Sequence, residues 1–83
     1  MARSTASRKY QITINNPQKH GFTHEHIKGL LPQFSSLLYW CMCDETGTEG
    51  TPHTHLYLIF KNAVMFSTLQ QRFYGAHIEL ANG

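Results

Sequence analysis

The chain has 83 residues, 41% hydrophobic and 14% charged, with a formal net charge of +2 when histidines are neutral. That length allows one small domain with a modest core, and the composition excludes a disordered charged tail. Mild basicity permits a nucleic-acid partner without requiring one, and no apolar run reaches the ~20 residues of a membrane-spanning helix.

Residues 1–9 carry basic side chains with no hydrophobic segment behind them, so they read as a flexible basic arm rather than a signal peptide. The folded domain is expected over residues 10–83. Tyr10 to Asn15 alternates apolar and polar β-formers and predicts a first strand, ended by Asn16-Pro17. Phe22 to Ile27 opens a helix, with Thr23 as cap and Glu25 in the first turn, and the helix stops before Pro32. Leu37 to Glu45 predicts a second strand, Thr46 to Pro52 a turn, and His53 to Phe60 a third strand, the two strands forming a hairpin. Phe66 to Phe73 predicts a second helix, capped by Ser67 or its neighbour, and Ala76 to Leu80 a fourth strand. The order β-α-β-β-α-β implies an α+β fold, an antiparallel sheet with both helices on one face.

Strand side chains alternate faces. The core-facing sets are therefore Tyr10, Ile12 and Ile14; Leu38, Trp40 and Met42; Leu56, Leu58 and Phe60; and Ala76, Ile78 and Leu80. The opposite face collects Gln11, Thr13, Asn15, Tyr39, Cys41, Cys43, Glu45, His53, His55, Tyr57, Ile59, His77 and Glu79. A merely solvated face would favour Lys, Glu and Thr, whereas this one carries three histidines and two glutamates.

His53 and His55 are one residue apart on a strand, so both imidazoles project the same way and make half a metal site. Glu45 ends the paired strand and can reach them. Two imidazoles and a carboxylate suit Mn²⁺ or Mg²⁺, with imidazole favouring Mn²⁺. Cys41 and Cys43 share the face and could join the two histidines in a zinc site, although their spacing is unlike common zinc motifs. Two positions apart on a strand, they are poorly placed for a disulfide, which points to a reducing, intracellular setting. His24 and His26, at a helix start, do not face each other and read as solvated side chains rather than a ligand pair.

Three segments resemble a known family in order and spacing: Ile12-Thr-Ile-Asn-Asn-Pro17, the run from Asp44 through His53-Thr-His55 to Leu56, and Gly75-Ala-His-Ile-Glu79. The family is the HUH endonucleases, the replication initiators (Rep) of circular single-stranded DNA viruses and related rolling-circle plasmids. The resemblance implies a ferredoxin-like or RRM-like fold. It also implies a divalent cation held by Glu45, His53 and His55, and a role for Asn15 and Asn16 in recognising origin DNA. The implied activity is nicking and joining of single-stranded DNA, with a tyrosine forming a 5′-phosphotyrosine link and freeing a 3′-OH. The chain departs from the pattern at Thr54, where the family carries a bulky hydrophobe; looser packing is expected there. The family's nucleophilic tyrosine lies on a helix beyond the segment like 76–83, so the catalytic tyrosine is expected outside this chain, along with any helicase domain and any oligomer contacts. Localisation would be the host nucleus for a virus, or bacterial cytoplasm for a plasmid.

Lys9, Lys61 and Arg72 are candidate phosphate contacts, Tyr57 a candidate base-stacking residue, and His77 with Glu79 candidate supports for the metal ligands. Two other functions stay open: a metal-free single-strand binding module in which Tyr39 and Tyr57 stack bases, and a structural zinc module on Cys41, Cys43, His53 and His55.

Overall fold

The computed structural model describes residues 5–47 and 50–81. Strands β1 (Ala6–Asn15), β2 (Leu37–Thr46), β3 (Pro52–Met65) and β4 (His77–Leu80) alternate with helices α1 (His24–Leu30) and α2 (Phe66–Arg72). Short 3₁₀ turns at Pro17–His20 and Leu31–Gln33 flank α1. The strands form one sheet in the order β2-β3-β1-β4, with every neighbouring pair antiparallel. This is the ferredoxin-like arrangement, and the α+β expectation holds.

The core shows why one face is covered. Tyr10, Ile12 and Ile14 of β1, Leu56, Leu58 and Phe60 of β3, and Ile78 of β4 are buried, with Ile27 of α1 and Leu69 of α2 packed in the same cluster. Phe22, Leu31, Phe34 and Phe73 close its ends. Phe34 and Phe73 stack with centroids 6.5 Å apart, and Tyr10 meets Phe60 edge-on at 6.2 Å. The Tyr10 hydroxyl donates to the Val64 carbonyl at 2.5 Å, so its one polar atom is satisfied inside the core. Thr23 caps α1 as expected, its hydroxyl accepting from the His26 amide.

Four expectations are corrected. Residues 6–9 are strand, not arm: β3 runs on to Met65, so Ala6 and Ser7 find partners in Met65 and Val64 across a bulge. The rest of the arm, residues 1–4, lies outside the described residues, as do turn residues 48–49 and residues 82–83. Leu38 is not core but 66% exposed, because a bulge between Leu37 and Tyr39 puts Leu37 opposite Phe60 instead. Trp40 and Leu80 keep the core parity but stay partly exposed, since β2 and β4 are the two edges of the sheet. Ser67 lies inside α2; the cap position is Met65, which makes no side-chain bond, and the Phe66 amide donates to the Thr5 carbonyl.

Candidate functional site

Register turns the open face of the sheet into rows. Glu45, His53 and Asn15 form the first row, from β2 across β3 to β1. Cys43, His55, Thr13 and His77 form the second, across all four strands. Cys41, Tyr57, Gln11 and Glu79 form the third, and Tyr39, Ile59 and Lys9 the fourth. All the polar residues assigned to this face by alternation are on it, because both central strands keep regular pairing through the first three rows.

His55 is half-buried and held on both sides. Its Nδ1 lies 3.4 Å from the Thr13 hydroxyl, and its Nε2 lies 3.6 Å from Glu45 Oε1. The Thr13 contact occupies one ring nitrogen and directs the other toward the carboxylate. The His53 and His55 rings stand 6.0 Å apart between centroids. Among the described residues, no three His, Cys, Asp or Glu groups converge on one point. The His55–Glu45 approach is thus a two-group contact beside a third donor. The Glu45 side chain is 68% exposed and free to rotate, and its strand position is directly opposite His53. The donor set, two imidazoles and a carboxylate on adjacent strands, fits a divalent cation chemically. The cysteines fit zinc less well. Both are free and exposed; Cys43 lies opposite His55, but Cys41 lies opposite Tyr57, one row away from the histidines.

The remaining candidates separate by position. His77 Nε2 and Glu79 Oε1 pair at 2.6 Å, with His77 two strands from His55 and Thr13 of β1 between them. Lys9 shares the face, three rows from His53. Lys61 lies beyond the last row, where β3 departs from regular pairing with β1, and Arg72 lies in the last turn of α2, in the helix layer. Asn16 takes a left-handed conformation (φ 48°), which asparagine tolerates, and its amide donates to the Pro52 carbonyl at 2.9 Å. This turn places Asn16 and Lys19 on a cleft of about 710 Å³ that runs past Glu45 and His53 to the start of α1. Of the four tyrosines, Tyr10 is buried, Tyr57 half-buried among the rows, and Tyr39 and Tyr74 exposed.

Sequence reading passed over the opposite side of the same hairpin. Asp44 and Thr54 are cross-strand partners. Thr54 is completely buried, and its hydroxyl donates to Asp44 Oδ1 at 2.9 Å. His24 Nε2 meets the same oxygen at 2.8 Å, so His24 is a partner of the hairpin rather than only a solvated side chain. Those contacts from His24 first, then Thr54, hold the Asp44 carboxyl below its ordinary range. The signal was available: Asp44 and Thr54 are polar residues at core parity, opposite one another.

Together these features define a class, a ferredoxin-like α+β domain whose open sheet face carries a His-x-His pair beside a carboxylate. A family profile described as "Putative viral replication protein" matches residues 7–83. The chain is 33% identical over 82 residues to the replication-associated protein of Pigeon circovirus, covering 98% of this chain and 24% of that protein. It is 34% identical over 76 residues to the replication-associated protein of Beak and feather disease virus, covering 92% and 25% respectively. The chain belongs to this viral replication protein family, the Rep proteins of circular single-stranded DNA viruses, and spans about a quarter of the length of the curated relatives it matches.

Proposed function

We propose that this chain forms the part of a replication-initiator endonuclease that binds origin single-stranded DNA and a divalent cation for nicking and joining. The observation that carries the reading is the placement of Glu45 opposite His53, with His55 Nε2 already 3.6 Å from Glu45 Oε1 on an open sheet face. Glu45, His53 and His55 would hold Mn²⁺ or Mg²⁺. When bound, the cation supplies Lewis-acid polarisation of the scissile phosphate. Thr13 keeps His55 oriented, and the His77–Glu79 pair lies on β4 at the edge of the same face. Tyr57 and the exposed Tyr39 offer rings on which unpaired bases stack, and Lys9 offers a phosphate contact. Asn15 adjoins His53 and Asn16 adjoins Pro52, so the first-strand motif borders the same site that the cation would occupy.

The chemistry is in-line displacement at phosphorus. A tyrosine hydroxyl supplied from outside this chain bonds to phosphorus as the bond to the leaving O3′ breaks, and the proton lost by the tyrosine is taken up by that oxygen. Attack of the 3′-OH on the phosphotyrosine reverses the step and joins the strand. A virus of this family places the reaction in the host nucleus, and assembly into larger complexes would use regions beyond this chain.

The test is Mn²⁺ titration of the wild-type chain, His53→Ala and Glu45→Gln, with circular dichroism as a control for folding. The reading expects saturable binding by the wild type and its loss in both folded variants. Equal Mn²⁺ affinity in all three proteins would overturn it.

A further inference from the structure

The hairpin that carries the candidate ligands has two sides, and its helix side is braced by polar contacts. Asp44 precedes Glu45, and Thr54 lies between His53 and His55. Alternation therefore puts Asp44 and Thr54 directly behind the three ligand positions, and they face each other across the strands. Thr54 is 0% exposed, so its hydroxyl needs a protein partner, and Asp44 Oδ1 provides it at 2.9 Å. The same oxygen meets His24 Nε2, on the first residue of α1, at 2.8 Å. We propose that Asp44, tied to Thr54 and His24, is a positioning residue that locks the end of the hairpin so that Glu45, His53 and His55 meet a cation together. The proposal rests on the metal-binding reading above.

The physical case is one of lateral restraint. Glu45, His53 and His55 do not converge unaided, so the cost of gathering them depends on how firmly their strands are held. β2 is an edge strand with neighbours on one side only, and its pairing with β3 runs through Asp44–Thr54 and Glu45–His53 to Thr46–Pro52 at the hairpin end. A hydrogen bond to an ionised carboxylate is stronger than one between neutral groups, and this one, 2.9 Å long, crosses between the two strands. His24 then ties that junction to α1 and closes one wall of the cleft beside His53. The ionised carboxylate is one group that accepts both bonds. An apolar residue in place of Asp44 would leave the buried Thr54 hydroxyl unpaired, and one in place of Thr54 would leave the carboxylate tied to α1 but not to β3.

The test compares Mn²⁺ affinity, by water-proton relaxation, in the wild-type chain and four variants. Thr54→Val keeps the shape and removes the hydroxyl, Thr54→Ser keeps the hydroxyl, His24→Gln alters only the helix tie, and His53→Ala removes a ligand. Thr54→Val is expected to bind about tenfold more weakly, the size seen when supports behind metal ligands are removed. Thr54→Ser should stay within about twofold of wild type and His24→Gln should fall between, in keeping with hydroxyl loss as the larger perturbation. The imidazole ¹H–¹⁵N signals of His53 and His55 in the metal-free protein should shift in Thr54→Val and return in Thr54→Ser. Wild-type affinity in both Thr54→Val and His24→Gln, with binding lost in His53→Ala, overturns the positioning role alone. Equal affinity in wild type and His53→Ala overturns the metal reading and the positioning role with it. If Thr54→Val does not fold, the His24→Gln comparison decides: wild-type affinity there overturns the proposal, and weakened affinity with a folded spectrum supports it.

Discussion

At the scale of single residues, the informative groups are those whose polarity conflicts with their position. Asp44 lies at core parity but at the exposed end of the hairpin, and His24 first, then Thr54, hold its carboxyl below the usual range. Folding therefore favours the ionised form. That contribution is present above the unfolded value, about 3.9, and is lost as pH falls through the lower folded value. Asp44→Asn lacks it. The gap in melting temperature between wild type and Asp44→Asn should be wide at pH 6 and narrow at pH 3, and a gap of constant size would show that the carboxyl is not linked to folding. Tyr10 behaves in the opposite sense: burial raises its hydroxyl above the ordinary value, favouring the neutral donor that bonds Val64. Tyr10→Phe should cost about 1 kcal/mol in urea denaturation, the typical net worth of such a bond. An unchanged midpoint would mean the hydroxyl is equally well served in the unfolded chain. With its ring in the core, Tyr10 also has no access to the open face.

At the scale of elements, β2 shows how a regular pattern can be displaced. Its alternation puts Leu38 in the core, but the bulge after Leu37 brings Leu37 opposite Phe60 and turns Leu38 out. Leu37→Ala should destabilise the chain by about 2 kcal/mol, and Leu38→Ala by less than about 0.5 kcal/mol. Equal losses in guanidinium denaturation would argue against the bulge. In β3 no such displacement occurs between His53 and Phe60: every second residue is buried, and the others make the open face. That regularity comes from its central position, paired on both sides, and it is why the His-x-His geometry was legible. The start of α1 was equally legible, since Thr23 acts through its own backbone neighbours. The cap of α2 was not, because the turn at Met65 is fixed by the extended β1–β3 pairing and the Thr5 carbonyl, distant in sequence.

At the scale of the whole molecule, a chain with a net charge of +2 has a weak overall field, so the DNA binding proposed above is assigned to the open face rather than to bulk charge. Lys9→Ala should weaken binding to a single-stranded oligonucleotide and lower the slope of log affinity against log salt by about 0.7. A slope identical to wild type in fluorescence anisotropy would remove Lys9 from the interface. The element order, the inward set of the central strands and the shared face of Glu45, His53 and His55 were legible in the residues alone, because alternation and turn chemistry are local rules. Tertiary structure alone decided which strands are edges and therefore which apolar residues stay exposed. It also decided that β1 begins within the expected arm, and that His24, twenty residues before Asp44, reaches across to the hairpin. Those outcomes depend on contacts between segments far apart in the chain, on which a local periodicity carries no information.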